Sequence, residues 1–127
     1  MAKAGLSVNE GFATAFTQLR ALLTPYARTM NVVKDTDTDY YLDTKSIGPN
    51  KKPICFAAVR IGKNYVSFYL MPVYMNPKLQ ATISSDLKKR MQGKACFNFK
   101  EVDANLFAEL KALAKSGAQC FKKLGYL

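Results

Sequence analysis

Apolar and polar positions alternate most sharply in ICFAAVRIGKNYVSFYLM, residues 54–71, a stretch that predicts a β-hairpin. Gly62-Lys63 suits a two-residue type II′ loop, with glycine at the position that needs positive φ. That loop pairs Ile61 with Asn64, Val59 with Val66, Ala57 with Phe68 and Cys55 with Leu70. Side chains alternate with period two, so these residues share one face, apolar except at the turn and destined for a core. The other face then pairs Arg60 with Tyr65, Ala58 with Ser67 and Phe56 with Tyr69, and is aromatic, small and basic.

Elsewhere the apolar spacing is mostly helical. Ser7-Val8-Asn9-Glu10 has the form of a capping box, and Phe12, Phe16, Leu19 and Leu23 follow at turn intervals, predicting a first helix over about 8–23. Thr24-Pro25 suits the cap and first position of a further short turn. A strand over about 32–42 follows, then the turn-rich SIGPNKKP and the hairpin, which ends near Met71-Pro72. Asn76-Pro77 and Ser84 or Ser85 mark starts of one or two short helices within 77–91, with Leu79, Ile83, Leu87 and Met91 inward and Gly93 as the stop. Ala95 to Lys100 reads as a fourth strand. Asp103 caps a last helix with Leu106, Phe107, Leu110 and Leu113 on its apolar side, ended by Gly117. The order α-β-β-β-α-β-α predicts an α+β fold: an antiparallel-rich β-sheet with helices mainly on one face, in one domain spanning 1–127.

Composition narrows the function classes. At 127 residues the chain suits one core. Three cysteines, odd in number and widely spaced, argue against a disulfide framework and for a reducing, cytoplasmic setting, and no long apolar run suggests a membrane span or leader. The net charge of +10 is concentrated: residues 51–100 hold ten Lys/Arg against Asp86 alone. That half is a candidate surface for anions. The chain has no histidine, the usual general base and imidazole ligand, and no Walker spacing around Lys63. A non-enzymatic protein with no cofactor is therefore expected.

Three sets of residues carry candidate chemistry. Phe56, Arg60, Tyr65 and Tyr69, with Asn98 and Lys100, combine stacking rings with cations and form the favoured ligand site, for a small anionic ligand or a protein partner. Tyr40, Tyr41 and Tyr74 are candidates for its rim. If residues 77–91 lie over that face it becomes a second small core instead. Lys88, Lys89, Arg90 and Lys94 make a basic cluster for sequence-tolerant nucleic-acid binding, although no RNA-recognition motif accompanies them. Asp35, Asp37 and Asp39, alternating on a strand, would put three carboxylates on one side as weak ligands for a divalent ion. They fail as an EF-hand loop, with Tyr40 where glycine is required and Ser46 where a bidentate glutamate is required. Cys96, between Lys94 and Lys100, reads first as a small buried hydrophobe.

The segments YYLDTKSIGPNKKPICFAAVRIGKNYVSFYLMPVYMNP and LKKRMQGKACFNFK, followed by LFAELKALAKSG, resemble the YdhG-like family of small bacterial domains of unknown function. KNYVSFYLMPVY and KRMQGKACFNF carry most of the likeness, and they are signatures of a fold. The resemblance implies a frataxin-like topology and, through the iron-chaperone label of some relatives, iron handling as a further alternative. A frataxin-like iron site rests on an acidic ridge over the first helix and following strand, and this first helix has only Glu10.

Overall fold

A computed structural model describes residues 8–127, so the Ser7 end of the expected capping box lies outside the described residues. Helix α1 spans Val8–Leu23 and passes into a 3-10 turn, Thr24–Thr29, with Pro25 in its first positions. The cap of that turn is Leu23, while the Thr24 hydroxyl donates back to the Ala21 carbonyl. Six strands follow: β1 Asn31–Asp35, β2 Asp39–Ile47, β3 Pro53–Ile61, β4 Val66–Leu70, β5 Met91–Gln92 and β6 Cys96–Phe99. Short helices α2 Met71–Met75, α3 Pro77–Ala81 and α4 Ser85–Lys88 separate β4 from β5, and α5, Ala104–Lys123, closes the chain. The sheet is antiparallel throughout, in the order β1-β2-β3-β4-β6-β5. The α+β class and its antiparallel sheet are as the pattern predicts.

Helix starts follow the chemistry expected of them. Asn76 accepts the Lys78 amide, Ser84 the Leu87 amide and Asp103 the Leu106 amide, each satisfying a donor that the first turn leaves unpaired. One face of the sheet, with Leu42, Val59, Phe68 and Phe97, is buried beneath Phe16 and Leu19 of α1 and Leu110 and Phe121 of α5. Segment 77–91 also lies on that side. α3 and α4 pack on α5, and Glu109 fixes them by accepting both the Ser84 amide (2.8 Å) and the Ser84 hydroxyl (2.6 Å).

Four expectations are corrected. The hairpin pairs Ile61 with Val66, Val59 with Phe68 and Ala57 with Leu70, two residues out of the predicted register. Gly62 donates to the Tyr65 carbonyl and does not take positive φ, so no type II′ turn forms. A two-residue slip preserves the faces, and it exchanges the mismatched Ile61–Asn64 pair for an apolar one. Second, the strand expected over 32–42 is two strands, because Asp35–Asp39 is a hairpin turn: the Thr36 hydroxyl accepts the amides of Thr38 and Asp39, and the Thr36 amide donates to the Asp39 carbonyl. Third, Gly93 lies in the β5–β6 turn at φ +79°, and Met91 belongs to a strand. Fourth, α5 continues through Gly117, which is buried against Pro72 of α2. A Cβ there would lie 2.9 Å from Pro72 Cβ, so this glycine permits close packing and does not end the helix.

Candidate functional site

Among the described residues no helix covers the second face of the sheet, and two β-bulges decide what it carries. In β3, Leu42 pairs with Ala57 but Asp43 pairs with Cys55, so Phe56 is an extra residue. Alternation resets there. Phe56 turns into the core, fully buried, 5.2 Å from the Tyr26 ring and 5.9 Å from that of Phe121 between centroids. Its assignment to the ligand face is therefore corrected, and Cys55 takes its place. In β1, Val32 pairs with Leu42 and Lys34 with Tyr41, leaving Val33 as the extra residue and putting Lys34 beside Tyr41 on the same face.

The result is one cross-strand row running through all six strands: Lys34, Tyr41, Ala58, Tyr69, Cys96 and Gln92. Asp39, Arg60, Ser67 and Asn98 form most of the neighbouring row. Ala58 has only a methyl group between two tyrosines, and the sheet is hollow at that point. The hollow holds about 410 Å³ and is lined by Lys34, Asp39, Tyr41, Ala58, Arg60, Ser67 and Tyr69, together with Tyr40 and Val59. Tyr40 is itself in the core, 3% exposed, with the Arg20 guanidinium over its ring.

Of the predicted set, Arg60 and Tyr69 line this hollow. Arg60 is exposed and held only loosely, with Nε 3.8 Å from Asp39 Oδ1. Tyr69 Oη donates towards Met71 Sδ at 3.5 Å, and burial raises its phenol pKa, with smaller additions from Cys55, Tyr74 and Cys96. Tyr65 and Lys100 sit apart at the hairpin end, where Lys100 Nζ lies 5.8 Å from the Tyr65 ring centre. Asn98 flanks the hollow, accepting from Ser67 Oγ at 2.7 Å and donating to Gln92 Oε1 at 3.0 Å. Tyr74, on α2, is 55% exposed and does not line the hollow, although it stands near enough to Tyr69 to help raise its phenol. Lys34 was not among the predicted residues, because a bulge has no compositional signature. The adjacent valines before it are the only local hint of broken alternation.

Beside the hollow, Tyr41, Asp43 and Cys55 form a compact polar cluster. Hydrogen bonding to Cys55 and burial raise the Tyr41 phenol. Burial pushes the Cys55 thiol up to about 11, against a smaller lowering by the Tyr41 hydroxyl, so this cysteine is almost wholly protonated and unreactive at neutral pH. Burial also raises Cys96, with the Ser67 hydroxyl acting the other way. All three cysteines are free thiols.

Asp43 Oδ1 is buried with no hydrogen-bond partner among the described residues, and burial raises the carboxyl above its ordinary 3.8 despite a hydrogen bond from Tyr41. A raised folded-state pKa contributes stability below the unfolded value and loses it as pH rises through the folded value. Asp43→Asn is therefore expected to melt higher than the parent at neutral pH, with the advantage disappearing below about pH 4. Melting curves across that range check this, and a pH-independent difference would show that ionisation of Asp43 is not what costs stability.

The other two candidate sets are dispersed. Asp35 closes β1 and binds Arg20 at 3.0 Å, whereas Asp39 opens β2 and faces Arg60. The three carboxylates do not share a strand face, since Asp37 is in the turn between them. Among the described residues no group of three or more His, Cys, Asp and Glu side chains is placed to hold a metal ion. Lys88 and Lys94 line one concavity, Lys89 and Arg90 another shared with Asp86 and Asp103. Among the described residues no helix is long and apolar enough to cross a membrane. No protein-family model, curated protein or solved structure matches the chain.

Proposed function

We propose that this is a cytoplasmic, non-enzymatic binding domain whose open sheet face takes a small planar anion. The supporting observation is the Tyr41–Ala58–Tyr69 row, a methyl floor between two rings with Lys34 at one end and Arg60 in the adjoining row. Tyr41 and Tyr69 stand on strands two apart, roughly 10 Å between backbones, room for a flat ring contacting both. Stacking supplies shape selection, and the two cations supply charge selection. Lys34 has no ion-pair partner among the described residues, and the Arg60–Asp39 contact is long and exposed, so neither cation must give up a strong partner. A YdhG-like membership, with its bacterial context, is part of the same proposal and rests on the sequence resemblance.

The test is a two-dimensional amide NMR titration with benzoate and with adenosine monophosphate. Saturable shifts are expected at Ala58, Ser67 and Tyr69 for at least one of them. Ala58→Leu, which fills the floor, and the Lys34→Gln/Arg60→Gln pair are each expected to weaken that binding by about tenfold or more. Shifts confined to the helical side, or no saturable shift with either probe, would remove the proposal.

A further inference from the structure

A second concavity, away from the sheet hollow, lies between α3, α4 and the β5–β6 turn. It holds about 580 Å³ and is lined by Pro77, Ala81, Ile83 and Met91 with Lys88 and Lys94. Gln80 and Gly93 complete it. We infer that this groove is a docking site for an acidic amphipathic peptide segment of a partner protein.

Charge complementarity identifies the occupant. Among the described residues no carboxylate lines the groove, and neither Lys88 nor Lys94 is in an ion pair. The nearby acids are directed elsewhere: Asp86 lies 3.8 Å from Lys89, and Glu109 is held by Ser84. The two lysines thus stand uncompensated over an apolar floor, a pattern that attracts glutamate or aspartate beside aliphatic side chains. Among the described residues the lining has no aromatic ring on which a nucleobase would stack, and this favours a peptide over single-stranded nucleic acid. Lys88, Lys94, Pro77 and Ala81 are exposed, so the groove is open-sided and accepts a continuing chain.

The walls are preorganised. Ser84 caps α4 and ties it to α5 through Glu109, while Gln80 Nε2 donates to the Val73 carbonyl. The Asn98 amide donates to the Arg90 carbonyl, and β5 pairs Met91 with Phe97, which fixes the strand leading to Lys94. A partner therefore meets a surface already ordered, and little conformational freedom is lost on this side of the interface.

The experiment is a fluorescence-anisotropy titration of the full chain with a short labelled peptide carrying leucines at i, i+3, i+4 and i+7 and glutamates elsewhere. Saturable binding is expected, weakened about tenfold or more by Lys88→Glu/Lys94→Glu and by Ala81→Arg. The Lys115→Glu/Lys122→Glu pair, on exposed turns of α5, should leave it within about twofold, and unchanged melting temperatures check that each variant folds. No saturation, equal loss in the α5 pair, or tighter binding of a single-stranded oligonucleotide through Lys88 and Lys94 would overturn the inference.

Discussion

Phe56→Ala is expected to lower the unfolding free energy by about 3 to 5 kcal/mol, the range for an aromatic ring removed from a packed core. Its side chain is fully buried between Tyr26 and Phe121, so truncation would leave a cavity bounded by two rings that cannot easily close it. Arg60→Ala, on the open face of the same strand, should change stability by no more than about 0.5 kcal/mol. Tyr69→Ala should fall between them, since that ring is half-buried and its hydroxyl makes only a long contact to sulfur. Denaturant melts of the three variants provide the comparison. A loss below about 1 kcal/mol for Phe56→Ala would mean that the bulge does not turn the ring inward.

The second large effect is expected at Gly117. Valine there should destabilise by about 2 to 3 kcal/mol, because Pro72 Cβ and Cγ lie 2.9 and 3.0 Å from where a Cβ would be and a proline ring cannot move aside. Helix propensity works in the opposite direction, since glycine within a helix costs up to about 1 kcal/mol relative to alanine. The clash with Pro72 outweighs that gain. Lys115→Val, on an exposed position of the same helix, isolates the effect of propensity and should change stability by a few tenths of a kcal/mol. Thermal unfolding of the two variants would show the difference, and equal melting temperatures would mean that α2 and α5 separate without cost.

Most of the architecture was legible because it depends on short-range rules. The capping side chains at Asn76, Ser84 and Asp103 stand where helices begin, and Val59, Val66, Phe68 and Leu70 face the core as alternation requires. The hairpin register was missed without moving any of these residues to the wrong face, since the error was an even number. Period two fails only where an odd residue is inserted, as at Phe56 and Val33. Those two places compose the site: one removes a ring from the hollow, the other brings a lysine to it. The acidic run was misread for a related reason. Asp and Thr fit a turn as readily as an exposed strand, and only the Thr36 hydrogen bonds distinguish them. Gly117 shows the limit of composition in another way, because a glycine that permits contact and one that stops a helix look identical until the neighbouring proline is placed.

The order of the sheet has a consequence for how this face comes to be open. β1 to β4 are neighbours both in sequence and in space, so four strands can associate through short closures that cost little chain entropy. The two long helices come from opposite flanks of the chain, and their buried side chains join one core on a single side of the sheet. Among the described residues, both long helices pack on that side and neither packs on the other. The hollow between Tyr41 and Tyr69 thus lies on the side of the sheet away from both long helices, and substitutions can alter its lining while the scaffold behind it stays the same.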